Sequence, residues 1–199
     1  MKKVIIHTDG GCHGNPGPGA WAACLDCGGK TRFISGGEPA TTNNRMELTA
    51  AIESLRALRE SCDVTLHTDS SYLKNGVTEW LASWKRNGWR TKTRAPVKNA
   101  DLWRALDEAA TPHKIQWLWV KGHAGNAGNE QCDTRVQEEI ARIKQEYTAA
   151  ELKEFLAQFA QAEGQTGAAD DELPIFSTPS PAPPDSPGDQ PPSVQGMLF

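Results

Sequence analysis

The apolar residues of the sequence change their period near residue 43. Before this point, apolar residues form short runs that are typical of β-strands, at residues 4–6, 20–25 and 31–35. After it, they recur at the spacing of an amphipathic helix, at Leu48, Ala51, Ile52, Leu55 and Leu58. The chain therefore starts as a sheet and continues with a helix that has one apolar face.

Turn and capping signals mark the boundaries of these first elements. Gly28-Gly29 separates the second and third runs and predicts a tight hairpin, so the sheet begins antiparallel. Asn43 or Asn44 is the expected N-cap of the first long helix, because a short amide side chain can accept a hydrogen bond from a free backbone N–H group.

The remainder of residues 1–147 alternates between strands and helices. We expect strands at 64–68 and 115–120, helices at 72–84 and 101–110 with a break near Gly76, and a last helix after a loop at 122–128. That helix has an apolar stripe of Cys132, Val136, Ile140 and Ile143. The order βββαβααβα predicts an α/β or α+β layered fold, a mixed sheet flanked by helices.

Residues 148–199 have a different composition. Residues 148–163 contain good helix formers with one apolar face, so we expect an additional helix there. Residues 164–199 are rich in Pro, Gly, Ser and Asp and hold eight of the thirteen prolines. Such a segment cannot bury enough apolar surface to offset its ordering entropy, so we expect an acidic, disordered tail.

Charge is distributed unevenly between these two parts. Residues 1–147 carry 20 Lys and Arg against 17 Asp and Glu, a net charge of +3, whereas residues 148–199 carry one against eight, a net charge of −7. A mildly basic body is suited to binding nucleic acid. The acidic tail is expected to solubilise the protein or to bind a partner, and not to contact phosphates.

Several features predict a cytosolic protein that does not associate with membranes, and we expect it to be a monomer. No stretch approaches the roughly 20 apolar residues of a membrane helix, and the apolar run at the N-terminus is too short for a signal peptide. The five cysteines lack the spacing of a disulfide framework. Cys24 and Cys27 resemble half of a zinc site, but the chain offers no second pair at a matching spacing.

Four carboxylates stand at the boundaries of predicted elements: Asp9, Glu47, Asp69 and Asp133. Each has a structural alternative. Asp69 can be a helix cap, Glu47 can form a capping box with Asn44, and Asp133 can favour a helix N-terminus through its charge. Asp9 is harder to explain in this way, because it follows a buried run and precedes Gly10-Gly11, where backbone can approach a ligand closely. Oxygen ligands that converge at strand ends would favour Mg²⁺ or Mn²⁺ over zinc.

Five blocks of residues occur in order between residues 8 and 133. They are Thr8-Asp9-Gly10-Gly11 with Gly14-Asn15-Pro16-Gly17-Pro18-Gly19, Thr41-Thr42-Asn43-Asn44-Arg45-Met46-Glu47-Leu48, His67-Thr68-Asp69-Ser70, Trp119-Val120-Lys121-Gly122-His123-Ala124-Gly125, and Asn129-Glu130 with Cys132-Asp133. Together they resemble the motifs of the bacterial-type ribonuclease HI family. The resemblance implies a mixed five-stranded sheet flanked by helices in residues 1–147. It also implies a magnesium-dependent endonuclease that hydrolyses the RNA strand of an RNA–DNA hybrid, leaving 5′-phosphate and 3′-hydroxyl ends.

The resemblance also implies roles for individual residues. Asp9, Glu47, Asp69 and Asp133 would bind two Mg²⁺ ions, for which Mn²⁺ would substitute. His123 would assist proton movement or product release. The 2′-hydroxyl of the RNA strand would be recognised by a group of residues that comprises Gly11, Cys12, Asn15, Asn43 and Asn44.

Residues 80–99, the basic segment, carry six Lys and Arg and no acid. This segment resembles the basic protrusion of the family, and we expect it to bind the DNA strand through Trp80, Trp84, Lys85, Arg86, Trp89 and Arg90, although a solvated loop with core tryptophans is the alternative. The chain departs from the family at Ala40, Ser71 and Gln131. These departures put one 2′-hydroxyl contact and part of the DNA phosphate pocket in doubt, so that the pocket would depend more on Thr42 and Asn99.

The C-terminus ends in Gln195-Gly196-Met197-Leu198-Phe199, which resembles the short peptide that binds the bacterial sliding clamp. Gln195, Leu198 and Phe199 would be its contact residues, presented by a flexible linker. Glu172-Leu173-Pro174-Ile175-Phe176 is a poorer second copy.

Two alternative functions remain open from the sequence. The chain can be a non-catalytic module that binds hybrids, or a nuclease of the same superfamily that acts on DNA. The complete set of four carboxylates argues against the first alternative. The Thr42–Glu47 block and the basic segment argue against the second.

Overall fold

The structure of the protein, a computed structural model, describes residues 1–122 and 126–166. A five-stranded sheet has the strand order β3-β2-β1-β4-β5. The strands are β1 (Lys2–Cys12), β2 (Gly17–Cys27), β3 (Lys30–Thr41), β4 (Cys62–Thr68) and β5 (Lys114–Trp119). The first three strands pair antiparallel, and β1, β4 and β5 pair parallel. The prediction of a mixed sheet is confirmed.

Helices α1 (Asn43–Arg56), α2 (Ser71–Asn75), α3 (Leu81–Arg86), α4 (Ala100–Ala110), α5 (Ala127–Glu146) and α6 (Ala149–Thr166) complete the fold. A single π-helical turn, Gly76–Trp80, joins α2 to α3, so the predicted break in this helix is confirmed. A side chain at residue 76 would collide with the ring of Trp103, so only glycine fits at this position.

The β2–β3 connection is the predicted hairpin. Cys27 pairs with Lys30, and both intervening glycines have positive φ angles, +61° at Gly28 and +81° at Gly29. Two residues with positive φ form a type I′ turn, whose twist matches that of the flanking strands.

The N-cap of α1 differs from the prediction. Thr42, and not Asn43 or Asn44, has the extended cap backbone, and its hydroxyl accepts a hydrogen bond from the Arg45 N–H at 3.4 Å. The amide of Asn43 is engaged with Cys12 instead, a long-range contact that helix-capping preferences cannot reveal.

Helices pack on both faces of the sheet. On one face, a core around Ile6, Leu48, Leu66 and Trp103 joins the sheet to α1 and α4. On the other face, α5 packs its predicted stripe against the small residues of β2. Because these β2 residues are small, α5 lies close to the sheet.

The C-terminal helix α6 packs against β3, and Tyr147 contacts Phe155 with ring centroids 5.3 Å apart. Residues 167–199 lie outside the described residues, so the expected disorder of the tail stays a prediction.

All five cysteines are free thiols, as expected. Within the parts of the chain that the structure describes, no helix is long and apolar enough to cross a bilayer.

Candidate active site

Three of the four predicted carboxylates meet at one end of the sheet. Asp9 lies on β1, Glu47 in the first turns of α1 and Asp69 directly after β4, and one oxygen from each lies within 4.8 Å of the others. His7 and His67 are register partners on the parallel strands β1 and β4, so the carboxylates two residues further along are level with each other. The sheet therefore supplies two of the three carboxylates, and α1 supplies the third.

Gly10 allows α1 to approach β1. A Cβ at residue 10 would collide with the backbone of Met46 and Glu47. A glycine at this position therefore lets the first turns of α1 lie directly on the strand, and Glu47 reaches Asp9 as a result.

The carboxylate of Glu47 is held in an unfavourable environment for a negative charge. Burial raises its pKa well above the usual 4.5, and the nearby charges of Asp9 and Asp69 raise it further. A hydrogen bond from the backbone of Gly10 acts in the opposite direction. Its Oε2 is buried and makes no hydrogen bond to any residue that the structure describes. A hard divalent cation would supply the missing positive charge, so these three residues fit a metal site.

The structural alternatives for Asp69 and Glu47 are wrong. Ser70 caps α2, because its hydroxyl accepts a hydrogen bond from the Leu73 N–H at 3.2 Å. Glu47 lies five residues after the cap Thr42, too far for a capping box, in which the acidic residue is three positions after the cap. Neither carboxylate is therefore needed to cap the N-terminus of a helix.

The segment after β5 encloses Asp69. The indole N–H of Trp119 donates to the Asp69 carbonyl oxygen at 3.0 Å, and the Val120 N–H donates to Thr68 at 2.9 Å. Gly122 lies against the Asp69 side chain. These contacts hold the backbone and the carboxylate of Asp69 in one place.

Asp133 is not a member of the three-carboxylate group. It lies in the second turn of α5, where a charge gains little from the helix dipole, so the structural alternative for Asp133 loses its basis. The neighbouring Cys132 thiol donates to the His7 carbonyl at 3.3 Å and anchors α5 to β1. His123 lies outside the described residues.

A pair of histidines next to the carboxylates was not identified from the sequence. The rings of His7 and His67 are stacked, with centroids 4.5 Å apart and an interplanar angle of 18°. Burial lowers the pKa of both rings, and the charge of His67 lowers that of His7 further. The available signal was that each histidine lies two residues before a site aspartate.

The residues predicted to recognise ribose form a connected surface. The backbone N–H of Cys12 donates to Asn43 Oδ1 at 2.8 Å, and the Asn43 N–H donates to Asn15 Oδ1 at 3.2 Å. The Cys12 thiol donates to the Gly14 carbonyl at 2.6 Å. Gly11 continues β1 into this surface, and Asn44 is exposed next to it.

Thr42 and Asn99, the predicted phosphate-binding pair, are joined by Arg45. The Arg45 guanidinium donates to Asn99 Oδ1 at 3.3 Å and to Asp101 Oδ2 at 2.8 Å. Asn99 also donates to the Tyr72 hydroxyl at 3.2 Å, with a left-handed backbone (φ +57°). Arg45 was part of a recognised block, but the sequence did not indicate its role as the link between these residues.

The basic segment has a mixed structure. Trp84 is 6% exposed and packs edge-on against Trp103, so the expectation that it contacts substrate is corrected: its ring belongs to the core. Trp80 and Trp89 are half-buried, and Lys85 forms an ion pair with Asp107 at 2.7 Å. Arg86 is exposed, and Arg90 lines an open cavity of about 570 Å³ together with Asn87, Thr91, Lys92 and Arg94.

Comparisons with known proteins agree with this geometry. The profile of the RNase H family matches residues 1–141. A ribonuclease H of Chelativorans sp. is 58% identical over 144 residues, which cover 72% of this chain and 89% of that protein. A ribonuclease H of Cupriavidus metallidurans is 54% identical over 143 residues, covering 72% and 99%.

Among solved structures, the chain is similar to LC9-RNase H1, described as a type 1 RNase H with the type 2 active-site motif. The TM-score is 0.66 and the identity 29%, and the match covers 85% of this chain and 86% of that one.

Proposed function

The chain belongs to the ribonuclease H family and is a metal-dependent endonuclease that hydrolyses the RNA strand of RNA–DNA hybrids, and we propose that Mg²⁺ at Asp9, Glu47 and Asp69 is its metal. The observation that carries this proposal is the meeting of these three carboxylates, from β1, from the first turns of α1 and from the residue after β4. Oxygen-only ligands favour Mg²⁺, and Mn²⁺ is the expected substitute.

Asp133 is proposed as a fourth ligand, supplied by α5. Two bound ions would activate a water molecule and neutralise charge on the attacking and leaving oxygens of the phosphodiester. The chain's own residues provide the geometry: Gly10 brings Glu47 against Asp9, and Trp119 and Gly122 hold Asp69. The products would be a 5′-phosphate and a 3′-hydroxyl end.

Recognition of the RNA strand is proposed to depend on Asn43. Its Oδ1 accepts a hydrogen bond from the Cys12 N–H. The side-chain NH₂ group of Asn43 is the donor that a substrate hydroxyl would use. A 2′-hydroxyl both donates and accepts hydrogen bonds, so an amide N–H one helical turn before Glu47 can distinguish ribose from deoxyribose. Asn15 supports this arrangement by accepting from the Asn43 N–H.

Binding of the DNA strand is proposed at Thr42 and Asn99 and along the exposed cations of the basic segment, Arg86 and Arg90 among them. Contacts to phosphates carry no sequence information, so cleavage should be nearly independent of sequence and sensitive to salt.

Three further proposals concern parts of the protein outside the described structure or its setting in the cell. His123 assists proton movement or product release. Gln195, Leu198 and Phe199 bind a sliding clamp, and a peptide of residues 190–199 that shows no measurable affinity for a purified clamp would remove that proposal. The protein acts as a cytosolic monomer.

The test is an end-labelled RNA–DNA hybrid assay with Mg²⁺ on wild type and Asp9→Asn. We expect RNA cleavage by wild type, none after addition of EDTA, and a loss of about 1,000-fold or more in Asp9→Asn because a metal ligand is removed. Asp63→Asn, at the opposite end of the sheet near the start of β4, is the matched control and should retain activity.

The same assay separates the alternative functions. Binding of the hybrid without cleavage in Mg²⁺ would identify a binding module. Faster cleavage of duplex DNA than of the hybrid would identify a DNA nuclease. Either result would overturn the proposed function.

A further inference from the structure

The C-terminal helix ends beside the residues that are proposed to bind DNA phosphates. Helix α6 packs along β3, the strand that leads into Thr42 and α1. Burial lowers the pKa of the Arg45 guanidinium, but the hydrogen-bonded Asp101 and the charges of Glu38 and Glu163 together raise it. Glu163, three residues before the end of α6, is therefore close enough to Arg45 to interact with it electrostatically.

The residue next to Glu163, Arg45, forms an ion pair with Asp101, and further cations follow in the basic segment. We define the phosphate-binding surface as Thr42, Arg45, Lys98, Asn99 and Arg90. Arg45 is bonded to Asn99, and Lys98 precedes Asn99 directly. The backbone pairing of Arg90 with Pro96 folds the loop of the basic segment back toward Lys98. Arg45 and Asn99 are thus in direct contact, and Lys98 and Arg90 belong to the segment that leads to Asn99.

The chain that follows α6 is strongly acidic. Residues 167–199 contain five Asp and Glu and no Lys, Arg or His. Three of the five acids, Asp170, Asp171 and Glu172, are consecutive and begin four residues after the last residue of α6. At an extended length of roughly 3.5 Å per residue, these carboxylates reach roughly 14 to 20 Å from Thr166.

We propose that Asp170, Asp171 and Glu172 bind the phosphate-binding surface within the same molecule and compete there with the phosphates of nucleic acid. The inference rests on the proposed function, because it takes this surface as the site of the DNA strand. Three consecutive carboxylates present a row of negative charges, as a phosphate backbone does. Because only three residues separate them from the end of α6, they are tethered to the body of the protein, and their effective concentration is high without any strong individual contact.

The acid cluster is favoured over the other acidic residues of the tail by its charge and by its position in the chain. Three of the five residues of the surface are Lys or Arg, and the acid cluster is the first charged part of the chain after α6. Asp185 and Asp189 lie at least 13 residues further along and are separated from the cluster by prolines, so they provide an internal comparison. The consequence is weaker binding of nucleic acid at low salt, where an intramolecular ionic contact is strongest.

The test measures the Kd of a fluorescent RNA–DNA hybrid in EDTA, where cleavage does not occur, between 50 and 300 mM salt. The variants are the full chain, a chain that stops after Thr166 and so keeps α6 whole, and Asp170→Asn/Asp171→Asn/Glu172→Gln. We expect both altered chains to bind about five- to tenfold more tightly at 50 mM salt and to match wild type near 300 mM. Asp185→Asn/Asp189→Asn should bind like wild type.

Equal Kd values for wild type and the triple variant at 50 mM salt would overturn the inference while leaving the proposed function intact, provided that wild type cleaves the hybrid in Mg²⁺. A difference that persists unchanged at 300 mM salt would also overturn it, because an ionic contact must weaken with salt. A failure of every variant to bind the hybrid would overturn the proposed function and this inference together.

Glu163→Gln tests whether the end of α6 takes part. We expect a smaller gain in affinity than in the triple variant, about twofold at 50 mM salt, since one charge near Arg45 is removed and the acid cluster remains. A gain in Glu163→Gln without any gain in the triple variant would mean that the helix, and not the segment after it, weakens binding, and would overturn the inference.

Discussion

The backbone of Gly122 lies against the side chain of Asp69: a Cβ at residue 122 would stand 2.6 Å from Asp69 Oδ2. Carbon and oxygen atoms cannot approach this closely without displacement of one of them. A residue outside every strand and helix therefore defines where a carboxylate of the metal site lies. The burial of Glu47, the stacking of His7 on His67 and the pairing of Lys85 with Asp107 lead to further measurable expectations.

Gly122→Ala should displace the Asp69 carboxylate and lower kcat on the hybrid by about 100-fold, because a shift of about 1 Å in a catalytic group has an effect of this size. The measurement is kcat at saturating Mg²⁺, together with the thermal unfolding midpoint. Gly164→Ala is the control, since a Cβ there meets nothing within 4 Å. Full activity in Gly122→Ala would show that Asp69 tolerates the movement.

Glu47→Gln should stabilise the metal-free protein while it abolishes activity. Glutamine has the shape of glutamate without the charge that burial, Asp9 and Asp69 make unfavourable. Each unit by which the pKa of a group is raised corresponds to about 1.4 kcal/mol, so we expect the free energy of unfolding in EDTA to rise by about 1 kcal/mol or more. Chemical denaturation in EDTA is the measurement, and a decrease in stability would contradict the expectation.

The stability of metal-free wild type and of Glu47→Gln should depend on pH in different ways. The pKa of Glu47 is raised above 4.5 in the folded state, so that state binds the proton more strongly than the unfolded state does. The stability of the metal-free wild type should therefore fall as pH rises from 4.5 through the raised pKa. In Glu47→Gln this contribution disappears, so the difference in stability between the variant and wild type should grow with pH. A difference that is constant with pH would rule out the titration of Glu47.

The stacked histidines should act in the opposite direction. Their pKa values are lowered from 6.5 in the folded state, so the unfolded state takes up protons first as pH falls. The stability that they contribute is present above pH 6.5 and is lost as pH falls below it. His67→Phe retains an aromatic ring against His7 and removes one titrating group. We expect a smaller loss of stability between pH 6.5 and 5 than in wild type, measured by denaturation in EDTA, and an identical loss would contradict this.

Two neighbouring cations of the basic segment should differ in their effect on binding. Lys85 is paired with Asp107, whereas Arg86 is exposed on the same helix. Arg86→Gln should weaken hybrid binding and reduce the slope of log Kd against log salt by about 0.9, the value for one phosphate contact. Lys85→Gln, the matched control, should change the slope less. The measurement is a salt titration of Kd in EDTA, and equal slopes for Arg86→Gln and wild type would exclude this contact.

Interactions between near neighbours in the sequence made much of the fold predictable. The helical spacing that starts at Leu48, the alternation within β4 and the Gly28-Gly29 turn depend on residues only a few positions apart, and each predicts its element without knowledge of the rest of the chain. Boundaries were less predictable. β1 continues through Gly10 and Gly11, because its hydrogen bonds with β2, and not apolar side chains, keep these residues in the sheet.

The identity of the site residues followed from the order of motifs, but their meeting in space did not. Asp9, Glu47 and Asp69 converge because β1 and β4 pair in a particular register and because Gly10 admits α1. The placement of Trp84 in the core and of Arg45 between Thr42 and Asn99 likewise depends on partners far away in the sequence.

The sequence alone thus determined the kinds of elements, their order and the chemical groups available, since propensity, turn geometry and amphipathic period are properties of short segments. Which of those groups share a site, which tryptophan is buried and which residue caps α1 depend on contacts between distant parts of the chain. The physical reason is that burial, Coulomb interactions and hydrogen bonds depend on distances in space, which local sequence does not specify.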